Sequence, residues 1–298
     1  MAVASVARAA TSRPHRLREN LGLFFRGGEP RGRFELAESE VPRLLAARNP
    51  HGKPNGDVVR PWAGAADVLH SPRCRWIIDF PPGTEEREAA LYERPYALVR
   101  RRVLPVWGGR RAAWWCHGRP QVEMRVALAK RERFIASPAS GRQHLFDWLP
   151  VETLPAYSLV VIARDDDYCF GVLHSKIHER WTRRFQAQAP EARFDTFPFP
   201  WAPATPLGKL TRAQEEQRAA IAGAARTLDA TRRQWLGDRS NRRHTLTALY
   251  NAQPTWLRQT HAALDETVAA AYGWPGDLPD DDILARLFAL NHARATCA

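Results

Sequence analysis

Two histidines in the middle of the chain have the spacing of a metal site. His174 and His178 are four residues apart, so a helix would place both imidazoles on one face. The sequence has no glutamate between them, as an HExxH motif would require, and no evident third ligand. The pattern therefore favours a structural, hydrogen-bonding role over a metal site. Asp165, Asp166 and Asp167 resemble a magnesium cluster, but their place between two apolar runs favours turn residues.

A cluster of arginines around tryptophans is the second group that could do chemistry. The arginine fork matches the paired acceptors of phosphates and guanine edges, and rigid aromatic planes can shape a DNA-facing surface. The alternative is a solvated basic face over a tryptophan core. We favour the core for Trp107, Trp114 and Trp115, whereas both interpretations stay open for the basic residues. The candidate DNA contacts are Arg100, Arg101, Arg102, Arg110, Arg111, Arg119 and Lys176.

The charge of the chain supports a nucleic-acid partner. The formal net charge is +12 and the isoelectric point is near 10.3. Forty of the 44 basic residues are arginines, and the excess is +10 over residues 1–200 but only +2 over residues 201–298. A coding bias towards arginine would explain the residue type but not this uneven distribution. We therefore predict that the chain binds nucleic acid.

The absent motifs exclude most catalytic classes. Adenine methylation needs a glycine-rich turn after a strand for S-adenosylmethionine and an Asn/Asp-Pro-Pro-aromatic loop for the flipped base. Residues 25–28 and 79–82 come nearest, but the first lacks a strand-to-helix context and the second has its aromatic before the prolines. The sequence also lacks a P-loop, a GxSxG elbow and paired nuclease carboxylates. An independent hydrolase is therefore disfavoured.

Cysteines and apolar runs indicate a soluble intracellular protein. The four cysteines are far apart with no CxxC pair, which predicts buried free thiols. No apolar stretch approaches the roughly 18 residues of a membrane span, and the N-terminus lacks the apolar centre of a secretory signal. We expect a cytoplasmic bacterial protein.

The predicted elements change in character near residue 200. Periodicity predicts strands at 76–80, 133–136, 159–163 and 168–173, and helices at 39–47, 84–92, 210–236, 261–272 and 281–294. Ser39 is placed to cap the first helix, and the triple aspartate would join the last two strands as a hairpin. Pro198 and Pro200 bias the aromatic–proline segment, Phe194–Pro200, towards an extended course whose rings pack on a neighbouring surface.

Several separated segments resemble the MmeI-like adenine-specific DNA methyltransferases, in order, from about residue 19 to the C-terminus. The resemblance is specific because so many segments agree. It is carried by Asn55–Trp62, Trp76–Phe80, Tyr92–Tyr96, Trp114 and Trp115, by the turn with His174, Ser175, His178 and Trp181, and by the aromatic–proline segment with Phe197 and Phe199. Leu249–Asn251, His261–Trp274 and Asp281–Arg294 complete it.

The resemblance implies the C-terminal part of such an enzyme without its catalytic core. It implies an α+β fold: residues 1–18 as a flexible linker remnant, residues 19–200 as a mixed-sheet target-recognition domain, and residues 201–298 as a helical module. The cofactor S-adenosylmethionine would belong to the missing core, so this chain would hold no cofactor and transfer no methyl group alone. Its implied partners are double-stranded DNA and a separate methyltransferase core or subunit. A non-catalytic basic subunit of a phage-defence complex, binding protein or RNA, is the alternative.

Overall fold

The computed structural model describes residues 13–70, 75–107, 113–140, 144–238 and 244–296. Within them the chain has an α+β fold with two small sheets, as predicted. The strands are β1 Phe24–Arg26, β2 Glu35–Leu36, β3 Val59–Ala63, β4 Trp76–Ile78, β5 Arg133–Pro138, β6 Asp147–Pro150, β7 Leu154–Pro155 and β8 Leu159–Ile162.

Twelve α-helices accompany these strands in the described residues. The first five are α1 Val41–Leu45, α2 Ala65–Leu69, α3 Glu86–Ala90, α4 Glu93–Trp107 and α5 Val122–Leu128. The others are α6 Asp167–His174, α7 Lys176–Arg184, α8 Pro190–Asp195, α9 Arg212–Leu236, α10 Leu246–Ala252, α11 Thr255–Ala271 and α12 Asp280–Thr296. The helical pattern predicted beyond residue 200 is confirmed for 201–238 and 244–296, which contain no strand.

Both sheets have four strands. One has the order β1-β8-β5-β6 and the other β2-β4-β3-β7. In the second, β4 pairs antiparallel with β2 and β3, whereas β7 joins β3 in parallel, so this sheet is mixed. A parallel edge strand needs a long crossover, and here most of the chain between β3 and β7 supplies it.

The chain divides into two compact units. The helical unit comprises Met1–Phe25, Gly141–Asp147 and Ile162–Ala298, and the sheet unit comprises Arg26–Ser140 and Trp148–Val161. The predicted domain boundary at residue 200 does not coincide with this division, because α6, α7 and the aromatic–proline segment pack with the later helices.

The sheet unit is built around one apolar cluster. Phe34, Ile77, Val99 and Val103 are fully buried in it, together with residues of α1 and β3. Val99 and Val103 are four residues apart on α4, so one face of this helix is fixed in the core and the opposite face is left to solvent. The position of the arginines on α4 follows from this anchoring.

The prediction of a strand at 168–173 is wrong. This segment is helix α6, whose N-terminus is capped by Asp166: its carboxylate accepts a hydrogen bond from the Cys169 N–H at 2.9 Å. The helix is buried on every side, so its continuous apolar run lacks the 3.6-residue period by which an exposed helix is recognised. Gly171 permits a close approach to α9, since a Cβ there would lie 2.8 Å from the Ile221 side chain.

Two other predicted helix starts are shifted. The helix predicted at 84–92 begins at Glu86, and the helix predicted at 39–47 is a 3-10 turn, Glu38–Glu40, followed by α1. Ser39 lies inside that turn and does not cap α1; instead the Glu40 carboxylate accepts from the Ala37 N–H at 2.9 Å. The predicted serine cap is therefore wrong: no side chain caps α1, and the Glu40 carboxylate binds the start of the preceding 3-10 turn.

The aromatic–proline segment is buried, as predicted, but its extended course was predicted too long: Phe194 and Asp195 are the end of helix α8. Its consecutive carbonyls from residue 196 to 200 all accept hydrogen bonds, at 2.7–3.2 Å, from side chains of the helical unit. The donors are Asn291, Asn20, Tyr272 and, for the last two carbonyls, Arg294. Polar side chains thus replace the backbone partners that an extended segment would find in a sheet.

The residues just before β1 are packed, although the sequence predicts a flexible linker up to residue 18. Leu17 is buried and its N–H donates to the Asp195 carbonyl at 2.8 Å, while the Arg16 guanidinium binds the Asp195 carboxylate at 2.6 Å. Residues 1–12 lie outside the described residues.

Cys116 and Cys169 are buried free thiols, as predicted, whereas Cys74 and Cys297 lie outside the described residues. No helix in the part of the chain that the structure describes is long and apolar enough to cross a membrane.

Candidate nucleic-acid interface

Helix α4 holds three of the predicted DNA contacts, and the structure separates their roles. Arg100 and Arg101 are exposed and make no hydrogen bond or ion pair with any described residue. Arg102 is half-buried and donates to the Glu40 carboxylate at 2.5 Å and to the Glu35 carbonyl at 3.1 Å. Arg102 therefore ties α4 to the segment before α1, and the two exposed arginines stay available for a ligand.

A groove of about 560 Å³ lies between α1 and α4 in the sheet unit. We call it the arginine groove, because three arginines line it: Arg43 from α1, and Arg94 and Arg101 from α4. The two on α4 are seven residues apart, with the lining residues Ala97 and Leu98 between them at helical spacing, so they share one face.

The arginine groove has an excess of positive charge. Arg43, Arg94 and Arg101 are exposed and have no hydrogen-bonding or ion-pairing partner among the described residues. Glu40 is the acidic residue in the lining, and its charge is already matched by Arg102. Such a set of unpaired guanidinium groups around a concave surface suits phosphate oxygens.

Glu40 is held ionised. Partial burial acts to raise its pKa, but the hydrogen bonds from the Ala37 N–H and from Arg102, with the positive charge of Arg101, outweigh burial and lower the pKa. Glu40 and Arg102 thus form a charged pair that fixes the groove wall without consuming the three free arginines.

The remaining predicted contacts are dispersed. Arg119 is exposed and lies 3.5 Å from the Glu29 carboxylate, within an isolated β-bridge between the same two residues. Arg110 and Arg111 lie outside the described residues. Lys176 lies in the helical unit, where its ammonium group is 3.3 Å from the Asp280 carboxylate.

The tryptophans near these arginines are part of the core, as predicted. Trp114 is buried, and Trp115 packs against the same apolar cluster and donates its indole N–H to the Thr84 carbonyl at 2.9 Å. Trp107 packs at the edge of this cluster as well, with its indole N–H on the Arg31 carbonyl at 2.9 Å.

Asp79 begins residues 79–82, the segment nearest in sequence to the Asn/Asp-Pro-Pro-aromatic loop of adenine methyltransferases. Its carboxylate has a structural role. It is 2% exposed and accepts two parallel hydrogen bonds from Arg125, at 2.7 and 2.8 Å. This bidentate pair and the burial of Asp79 fix the side chain in the interior, away from a flipped base.

His174 and His178 act in the interior of the helical unit. Both are buried, and Ser175 between them caps α7 by accepting from the His178 N–H at 3.3 Å. His178 Nδ1 lies 3.0 Å from His144 Nε2, and His174 Nε2 lies 2.7 Å from the Arg232 guanidinium. Within the described residues no group of three or more His, Cys, Asp or Glu side chains could hold a metal ion.

Trp181, the last residue of that turn, is fully buried. Its indole N–H donates to Thr196 Oγ1 at 3.2 Å, and its ring packs against Phe288 with centroids 5.2 Å apart. Phe197 and Phe199 are also fully buried, so this part of the resemblance rests on core residues.

The buried histidines are neutral at pH 7. Burial lowers the pKa of His144 and of His261 to about 4, and the charge of Arg232 contributes at His261. Burial and the same arginine lower the pKa of His174, while burial and His144 lower the pKa of His178. Burial acts oppositely on Asp265, whose pKa rises to about 6.

We expect acid to destabilise the helical unit. In the unfolded chain these histidines bind protons below their ordinary pKa of 6.5, whereas the folded state resists protonation down to about 4. The stabilisation that these neutral histidines provide is therefore fully present above pH 6.5 and is lost as the pH falls towards 4. Asp265 opposes this loss below about pH 6, because its raised pKa lets the folded state bind a proton first. At pH 4.5, His144 and His261 together cost about 5 kcal/mol and Asp265 returns about 2 kcal/mol, a net loss on the order of 3 kcal/mol to which His174 and His178 add.

Urea unfolding at pH 7.0, 5.5 and 4.5 measures this loss, and His144→Gln should reduce it because one buried titrating group is removed. His70→Gln, at an exposed position, is the control and should not change the pH dependence. A free energy of unfolding that is constant over this range would contradict the prediction.

Comparison with solved structures identifies a similar fold. The structure of the type IIL restriction-modification enzyme MmeI, solved in complex with DNA, aligns with a TM-score of 0.67. The chain shares its fold with part of MmeI. The alignment covers 96% of this chain but 36% of MmeI, at 17% sequence identity, so the chain spans about a third of MmeI's length. No family model matches the chain, and no curated protein matches it.

Sequence reasoning missed two residues of the arginine groove, Arg43 and Arg94. No helix was predicted over 94–101, so the seven-residue spacing of Arg94 and Arg101, which places both on one face of α4, was not recognised. No local sequence pattern indicated Arg43. It lines the groove because α1 packs on the apolar cluster of the sheet unit, which the neighbouring residues alone do not reveal.

Proposed function

We propose that this chain is the DNA sequence-recognition part of a site-specific adenine DNA methyltransferase of a restriction-modification system. The observation that carries the proposal is the arginine groove, on a fold similar to part of an enzyme solved with DNA. S-adenosylmethionine binding and methyl transfer would belong to a methyltransferase core outside residues 1–298, and these residues alone would not be catalytic.

In this function the sheet unit binds the DNA backbone through Arg43, Arg94 and Arg101. Guanidinium groups without acidic partners gain most from phosphates, since no internal ion pair must be broken first. Arg100, exposed on the same helix, is available to a base edge or to a further phosphate.

In this proposal the helical unit binds the methyltransferase core. A rigid surface suits such a contact. Support comes from the aromatic–proline segment, whose carbonyls accept hydrogen bonds from Asn20, before β1, and from Arg294 on α12.

The test is a titration of the full chain with mixed-sequence duplex DNA and duplex RNA at 50 and 200 mM salt. We expect tighter binding to DNA, with a slope of log K against log salt of about −2.7 or steeper, because each neutralised phosphate contributes about −0.9. Tighter binding to RNA, or binding that does not depend on salt, would contradict the proposal and favour a basic interaction subunit.

A further inference from the structure

A second cavity lies wholly within the helical unit and shares no residue with the arginine groove. Its volume is about 370 Å³, and α7, α11 and the C-terminal end of α10 contribute to its lining. Cavities of ~300–1,000 Å³ are typical of organic ligand sites and are too large for a single inorganic ion.

Two carboxylates in the lining have spare acceptor capacity. Asp265 accepts the Lys176 backbone N–H at 2.7 Å through Oδ1, and Glu179 accepts from Arg183 at 2.7 and 3.0 Å through Oε1. Their second oxygens, Oδ2 and Oε2, have no hydrogen-bond donor among the described residues. A ligand with N–H groups could therefore donate to both without displacing an existing bond.

The lining also contains a neutral imidazole and apolar walls. His261 contacts the Tyr250 hydroxyl through Nε2 at 3.0 Å, which leaves its Nδ1 without a partner in the described chain. Leu257 and Ala262 of α11 also line the cavity and provide apolar surface next to these polar groups. Convergent polar atoms beside apolar walls suit a flat, hydrogen-bonding ring.

One cation of the lining is free. Arg258 is exposed and touches Thr255 Oγ1 at 3.3 Å, with no carboxylate partner in the part of the chain that the structure describes. Lys176 and Arg183, by contrast, are paired with Asp280 and Glu179. The cavity thus offers one unmatched positive charge, as an anionic ligand group requires.

We propose that this cavity binds a mononucleotide, with the N–H groups of the base on Asp265 and Glu179 and the phosphate on Arg258. An inorganic phosphate would leave most of the volume unfilled, and a purely apolar ligand would bury two carboxylates without partners. A nucleotide satisfies the acceptors, the apolar walls and the free arginine together.

Calorimetric titration of the full chain with AMP, GMP, CMP and UMP tests the proposal. We expect at least one nucleotide to bind with a Kd below about 500 µM. Ribose 5-phosphate, which lacks the base, and the matching nucleoside, which lacks the phosphate, should each bind about tenfold more weakly. Failure of all four nucleotides to bind at 1 mM would overturn the proposal.

Two variants locate the binding. Ala262→Trp should fill the cavity and abolish binding, whereas Ala263→Trp, the matched control at an exposed neighbouring position outside the lining, should leave it unchanged. Arg258→Ala should weaken nucleotide binding about tenfold, because the phosphate loses its arginine. This second variant tests the proposal even if Ala262→Trp does not fold. Equal nucleotide affinity in Arg258→Ala or Ala262→Trp would place the ligand elsewhere and overturn the assignment. Whether nucleotides bind or not, the DNA-binding proposal is unaffected, because the arginine groove lies in the sheet unit.

Discussion

Replacing Arg232 with alanine should lower the free energy of unfolding of the helical unit by about 3–5 kcal/mol. Arg232 is 1% exposed, and its guanidinium donates to the Phe146 carbonyl at 2.8 Å and contacts His174 Nε2 at 2.7 Å. The Asp147 carboxylate lies 3.6 Å away. Alanine would leave these buried acceptors without a donor and leave an empty volume in the core.

The neighbouring residue is a matched control for Arg232. Arg233 is exposed and pairs with Asp229 one helical turn earlier, at 2.7 Å, so Arg233→Ala should cost no more than about 0.5 kcal/mol. Urea unfolding of both variants at pH 7 measures the difference. Similar losses in both variants would contradict the assignment of a structural role to the buried guanidinium.

Arg232→Lys should recover little of the lost stability. Lysine keeps the charge but lacks the planar fork that reaches Phe146 and His174 together. A lysine variant as stable as the original protein would show that charge alone matters at this position.

The triple variant Arg43→Ala, Arg94→Ala, Arg101→Ala should reduce the salt dependence of DNA binding. If each arginine neutralises one phosphate, the slope of log K against log salt should become shallower by about 3, and the loss of affinity should be nearly the same for every DNA sequence. Affinity at 150 mM salt should fall by at least about a hundredfold. Fluorescence anisotropy over a salt series measures both quantities.

A control with the same charge change excludes a general electrostatic effect. Arg212, Arg226 and Arg233 on α9 are each paired with a carboxylate, so replacing all three with alanine also removes three positive charges. This control should change the salt slope by less than about 1. An equal change in both triple variants would assign DNA binding to net charge and contradict the role of the arginine groove.

The long helices beyond residue 200 and several short buried strands could be predicted from the sequence. The helix predicted at 210–236 is observed at Arg212–Leu236, because Thr211 and Gln214 form a reciprocal cap before an alternating polar and apolar pattern. The strand predicted at 133–136 is observed as β5, since its β-branched and aromatic residues are fully buried between polar flanks.

The fully buried helix α6 was not recognised as a helix. A helix and a strand that are apolar on all sides have the same composition, so α6 was predicted as a strand, and only the cap by Asp166 distinguishes them. The aspartates around 166 were predicted as hairpin residues for the same reason. Burial on every face removes the periodicity on which such predictions depend.

The arginine groove shows how far a sequence pattern can locate a site. The cluster at 100–102 marked helix α4, but one of its arginines, Arg102, is used internally, and the groove is completed by Arg43 and Arg94. Which arginines remain free depends on where Glu40 lies in the folded chain. Long-range packing therefore decides which charges are available to DNA.

The most direct test of DNA sequence recognition is selection from a random duplex library by the purified full chain, followed by sequencing of the bound fraction. A recognition module should enrich one defined sequence over successive rounds, with the arginine groove variant binding more weakly and enriching the same sequence. Bound DNA that stays random after repeated rounds, or a library that is not retained at all, would contradict the account.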